Sequence, residues 1–130
     1  MSNFASNPSS VAAPDGDFSQ AFEISAGARF LFISGQVPRS VDGNTVGLNS
    51  MRDQAEQVFM NLKNILQSHG MTFASAVKAT IFVTDMSLAS EVVEVRRKYY
   101  GDARPASTFV AVSELGDPRW LLEVELVAAA

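Results

Sequence analysis

The strongest constraint on the fold is that its strand-like segments alternate, yet keep apolar residues on both faces. In AVKATIFVTD (76–85), Val77, Ala79, Ile81 and Val83 face one way, and Lys78, Thr80, Phe82 and Thr84 the other. In WLLEVELVA (120–128), Trp120, Leu122, Val124 and Leu126 oppose Leu121, Glu123, Glu125 and Val127. STFVAVS (107–113) sets Ser107, Phe109, Ala111 and Ser113 against Thr108, Val110 and Val112. A sheet of such strands has one face for a core. It has a second face on which Phe82, Phe109, Leu121 and Val127 are expected beside Glu123 and Glu125. An apolar face left uncovered marks an interface, so this face is expected to meet sister subunits. A carboxylate on it needs hydrogen-bond donors or a ligand.

Two helices are available to cover the first face. In SMRDQAEQVFMNLKNILQSHG (50–70), Ala55, Val58, Phe59, Leu62, Ile65, Leu66 and His69 recur at intervals of three and four, forming one amphipathic stripe. Ser50 with Asp53 resembles a capping box, and Gly70 suits the left-handed position past the helix end. His69, the single histidine, is read as a group facing the negative helix terminus rather than as a ligand. A second helix, capped by Asp85 or Ser87, carries Leu88, Val92, Val95 and Tyr99 and ends at Gly101 and Pro105. Before these helices, AFEIS (21–25) and ARFLFIS (28–34), separated by Ala26-Gly27, read as a hairpin. RSVDGNTVG (39–47) is a loop around Asp42-Gly43-Asn44. Residues 1–17 lack any period and read as an extended or loosely attached tail, which leaves 18–130 as the domain. The order ββ–α–β–α–ββ with helices on one face of a mixed sheet is an α+β layout.

Composition narrows the chemistry. With no cysteine, the chain has neither disulfides nor thiolate metal sites, and one histidine makes a His-rich metal site or a Ser-His-Asp triad a poor reading. A net charge of −4 argues against nucleic acid as a partner, because phosphate contacts need clustered Lys and Arg. There is no apolar run of membrane-spanning length and no basic-then-apolar leader, so a cytoplasmic location is the expectation.

FISGQVP (32–38) is the most suggestive short stretch. An apolar run stops on Ser34, Gly35 and Gln36, and Pro38 keeps it from resuming as a central strand. Strands end in turns, and turns use Ser and Gly. A hydroxyl, a bare backbone and an amide also make a polar cradle for a ligand.

LFISGQVP, QAEQVFMNLKNILQSHG, AVKATIFVTDM, KYYGDARPAS and LLEVELVA, in that order from Phe18 to Ala128, resemble the Rid (YjgF) family. The resemblance implies a chorismate-mutase-like subunit and a homotrimer in which the sheets form a central barrel. Clefts between subunits would then bind small carboxylate-bearing molecules. It also implies hydrolysis of reactive enamines or imines to a carbonyl compound and ammonia, without a cofactor. By the same resemblance, Glu123 matches a glutamate that positions the attacking water, and Ser34, Gly35 and Gln36 match the family's Ser-Gly-Gln turn. The family's tyrosine falls on Phe18, and a helix asparagine on Val93. The arginine that grips the substrate carboxylate falls on Ser107, in ARPAST, and a hydroxyl lacks the charge of a guanidinium fork. Arg104, three residues earlier, is a possible substitute. An odd displacement along a strand would turn it to the opposite face, but Pro105 makes the segment loop-like and weakens that rule.

Two functions of different class are therefore expected. One is an imine or enamine deaminase whose substrate range is altered by Ser107. The other is a non-catalytic trimeric module that binds or senses a small molecule. On residues alone, Glu123 has an equally plain role tying neighbouring strands together. Endoribonuclease activity, attached to the family in places, fits poorly with an acidic chain.

Overall fold

The computed structural model describes residues 3–130. Six strands and two α-helices follow in the order β1 (Phe4–Ser6), β2 (Ala21–Glu23), β3 (Phe30–Gln36), α1 (Met51–Ser68), β4 (Ala76–Val83), α2 (Ala89–Tyr100), β5 (Ala106–Ala111) and β6 (Leu122–Ala129). The main sheet runs β3-β6-β4-β5, and β4 and β5 are its parallel pair. This is the expected mixed α+β fold. Among the described residues, no helix is long and apolar enough to cross a membrane.

Helix α1 starts where the sequence reads it. Ser50 is extended and its Oγ accepts the Asp53 N–H at 3.2 Å. Beyond the helix, Gly70 takes φ +70°. Ala55, Val58, Phe59, Leu62 and Leu66 are fully buried. Gln54 is buried with them, a polar residue the stripe did not include. Its amide donates to the Arg119 carbonyl and accepts the Leu121 N–H, so both ends are satisfied and the approach to β6 is fixed. His69 is exposed, with Nδ1 3.1 Å from the Ile65 carbonyl at the helix end. In α2 the buried stripe is Val92, Val95, Arg96 and Tyr100, whereas Asp85 caps the 3-10 turn that precedes the helix.

The hairpin expected between residues 21–25 and 28–34 does not form. β2 pairs instead with β1, which lies in the segment read as a tail, and β3 pairs with β6. Local side-chain chemistry explains the exchange. Asn3 accepts the Ser25 N–H and donates to the Ala129 carbonyl, and Asn7 accepts the Gln20 N–H. These short amides stand in a segment whose sequence has no period, yet each staples backbone to backbone. Farther along, Asp17 is buried, and its carboxylate lies 3.0 Å from Arg97, 3.8 Å from Arg96 and 3.7 Å from Arg104. Ser19 then donates its N–H to the Pro105 carbonyl and its hydroxyl to the Arg104 carbonyl, and bridges to Ala106. The segment is an arm held along the sheet edge.

On β4 and β6 the two faces are phased as expected: Ala79, Ile81, Val83, Leu122, Val124 and Leu126 are buried under the helices. The other face needs a correction. Register sets Ile81 beside Phe109 and Phe82 beside Val110, so Phe109 turns to the helix side and packs on the core. Leu121 precedes β6 and also packs there. The open face carries Phe82 and Val127 as expected, with Val110 and the aromatic pair Phe30 and Phe32, whose rings stack at 6.1 Å. Phe32 is 76% exposed, which leaves a large apolar surface facing outward.

Candidate functional site

The Ser34-Gly35-Gln36 stretch does end its strand, β3 closing at Gln36, but it is not a turn. Ile33 pairs with Leu126 and Gln36 with Val124, so three steps along β3 match two along β6. One extra residue is accommodated at Ser34-Gly35, which makes a β-bulge inside the strand. β3 continues through it to Gln36, and the chain leaves the sheet only before Pro38. The Gln36 amide donates back to the Ser34 carbonyl at 3.0 Å, across the bulge.

Glu123 lies against this bulge. A Cβ placed on Gly35 would stand 2.0 Å from Glu123 Oε2, 2.8 Å from its Cδ and 2.9 Å from its Cγ. Gly35 does not have a positive φ, so its backbone would admit any residue. Glycine is required here for space: the carboxylate occupies the volume a side chain would fill. Glu123 shares the open face with Phe82, its partner on β4, and is half-buried.

Concavities flank the bulge on both sides. On the open face a depression of about 420 Å³ is lined by Phe32, Ser34, Lys78, Thr80 and Glu125. Lys78 Nζ donates to Thr108 Oγ1 at 2.9 Å, which supplies a fixed cation in that depression. Toward α1, a wider hollow of about 790 Å³ is lined by Gly35, Gln36, Arg39, Gln57 and Asn61. Asn61 donates to the Val37 and Arg39 carbonyls, and Gln57 donates to Asn61. Gln57, Asn61 and Lys78 were not anticipated. All three stand at polar positions of a periodic element, where a functional group and a solvated one look the same in sequence.

The remaining candidates gather elsewhere. Ser107 is in register with Ala79, so it faces the helix side, and its Oγ is buried with no partner. Arg104 donates to the Gly101 and Ala103 carbonyls and pairs with Asp17. It is committed to the arm and the end of α2. Phe18, between Asp17 and the Ser19–Ala106 bridge, is half-buried beside the start of β5. Within one protomer, then, Ser34, Gly35, Gln36 and Glu123 form one group. Phe18, Arg104 and Ser107 form a second group at and before the start of β5; Ser107 is three residues, about 10 Å along the strands, from the Glu123 row and on the opposite face of the sheet. Among the described residues no group of three His, Asp or Glu side chains is placed to hold a metal ion.

The fold is that of a known class. The family described as Endoribonuclease L-PSP, the YjgF/Rid/RutC group, matches residues 9–130, and the chain belongs to that family. It is similar to a RutC family protein of Pyrococcus horikoshii, with 36% identity over 115 residues covering 88% of each chain. A protein of Dermatophagoides farinae named 2-iminobutanoate/2-iminopropanoate deaminase is 28% identical over 102 residues, covering 78% of this chain and 77% of that one. Among solved structures, a conserved Rid-family protein of Yersinia pestis superposes with a TM-score of 0.90 at 30% identity, over 100% of both chains.

Proposed function

We propose that this protein hydrolyses a reactive imine or enamine to a carbonyl compound and ammonia, with Glu123 as the proton-transferring group. The observation that carries this reading is the seat of Glu123 on the bare backbone of Gly35 in a polar bulge. A carboxylate so confined can hold a water in one orientation. Water oxygen attacks the imine carbon while Glu123 takes its proton. The carboxyl passes that proton to nitrogen, giving a carbinolamine; Glu123 then takes the proton of the new hydroxyl and delivers it to the amino nitrogen as the C–N bond breaks, so the C–O bond becomes the carbonyl and ammonia leaves. Ser34 and Gln36 offer donors and acceptors for the polar end of the substrate, and no cofactor takes part. The relative named as a deaminase supports the reading.

The substrate differs from a simple imino acid, because Ser107 stands where the family has its carboxylate-gripping arginine and Arg104 is held by Asp17. Phe18 supplies a flat apolar wall if a neighbouring subunit brings the second group of residues to the first. The protein is therefore expected to act slowly on 2-iminopropanoate and 2-iminobutanoate, and faster on imines with larger apolar side chains. A coupled assay measuring ammonia release across such a panel tests this. Equal speed on the small imino acids would remove the role given to Ser107. The loss of that arginine also favours the second reading, a trimeric binding module without chemistry, and no acceleration on any imine would decide for it. Endoribonuclease activity, which the family description carries, is not supported: the net charge is −4, and Arg96, Arg97 and Arg104 are all turned to Asp17.

The apolar open face, with Phe32 largely exposed, supports a homotrimer closed through that face. Multi-angle light scattering is expected to give three times the 14.0 kDa chain mass. A monomer at micromolar concentration would remove the trimer and any cleft shared between subunits.

A further inference from the structure

A second concavity lies outside the candidate site, on the helix layer. It has a volume of about 520 Å³ and opens between the last turns of α1, the last turn of α2 and the 3-10 turn that begins at Phe73. Phe73, Tyr99 and Tyr100 wall it with aromatic surface; the Phe73 ring centroid is 6.0 Å from that of Tyr99 and 5.7 Å from that of Tyr100. Two cations, Lys63 and Lys98, stand in its lining. Lys98 lies 5.4 Å over the Tyr99 ring and pairs with Glu56, while Lys63 is exposed and has no ion pair among the described residues. Tyr99 donates its hydroxyl to Glu56 at 3.1 Å. Two lysines against one glutamate leave a positive excess.

We infer that this pocket is a binding site for a small aromatic monocarboxylate, distinct from the Glu123 site. The volume lies in the range of small-molecule pockets, and an aromatic wall with a few polar groups is their usual make-up. The ring of such a ligand lies against the aromatic wall of Tyr99 and the outer edge of Phe73, and its carboxylate faces Lys63. A neutral ligand would leave the positive excess unmatched. Because the pocket uses the helix layer and none of the bulge residues, the inference does not depend on the deaminase reading.

The two tyrosines of the chain both line this pocket; Tyr99 also borders a neighbouring hollow beside Gly47 and Met60, so the Tyr100 ring signal is the specific reporter. Phenylacetate titrated into the ring-labelled protein is expected to shift both tyrosine signals saturably, with the uncharged phenylacetamide binding more weakly. Lys63→Gln, at an exposed position, should weaken phenylacetate about fivefold, the scale of one surface charge contact, and leave phenylacetamide unchanged. Ala74→Trp should fill the pocket and abolish the shifts, and an unchanged thermal melt would show that the fold survives. The shifts should persist in Glu123→Gln, which separates this pocket from the candidate active site. Non-saturating shifts, equal affinity for acid and amide, or undiminished shifts in folded Ala74→Trp would each overturn the inference.

Discussion

Gly35→Ala should eliminate the activity while barely touching stability. The new methyl would stand 2.0 Å from Glu123 Oε2, an overlap that cannot persist. The atoms it meets belong to the end of a half-exposed glutamate side chain, not to backbone or core. Relief therefore comes from Glu123 swinging away, and the sheet need not move. Overpacking a closed core costs about 1–3 kcal/mol, but here the displaced group is the flexible end of a half-buried side chain and not core or backbone, so the thermal midpoint should shift by only a few degrees. Gly35 has no positive φ, so no backbone strain is added. Turnover should fall about as far as it does on removing the carboxylate itself, with the melt lowered by no more than those few degrees and the oligomer mass unchanged. A variant that melts far lower would show that Gly35 serves the sheet. An undiminished rate would show that the seat of Glu123 is irrelevant to the chemistry.

Much of the fold was legible because its signals are local and periodic. The stripe of α1 and the alternation of β4 and β6 follow from burial against one partner layer, and a period of 3.6 or 2 records that burial directly. The failures share a different cause. Pairing partners are set by distant segments, so β2 looked ready to join β3 although β1 takes it and β6 takes β3. The three-arginine cluster on Asp17 joins residues some 80 positions apart in the chain, and no window around Asp17 contains it. Phe109 was assigned to the wrong face because strand phase within a sheet depends on register with β4, which the sequence of β5 does not record.

The candidate site was legible in its residues but not in its form. Ser34, Gly35 and Gln36 stand out as polar and permissive in an apolar run, and Gly35 lies against Glu123. The reason differs from the one expected. A bulge needs an extra residue counted against the partner strand, and that count exists only once Ile33 and Gln36 are paired with Leu126 and Val124. Ser107 and Arg104 show the opposite limit. Their match to the position of the family's arginine suggested a cleft; within the protomer, register with β4 puts Ser107 on the helix side and Asp17 pairs with Arg104, contacts that no local window of sequence records.

Glu123→Gln should lower turnover at least a hundredfold, the lower range for loss of a positioned proton-transfer group, while ligand affinity and oligomer mass hold. The substitution keeps the side chain's length and shape, so its place against Gly35 survives. What it loses is the ability to accept a proton from water. Its partner Phe82 offers no polar contact to break, and the structure gives Glu123 neither a hydrogen bond nor an ion pair with another side chain among the described residues. The amide thus costs no network, and a strand-tying role would leave the rate intact. The double substitution with Gly35→Ala sharpens the test. If both act through one carboxylate in one place, the second change should add almost nothing to the first, whereas independent effects would multiply. Steady-state rates for the wild type, both single variants and the double variant would measure that coupling. Multiplying losses, or turnover that survives Glu123→Gln, would move the chemistry to another base and return Glu123 to the sheet.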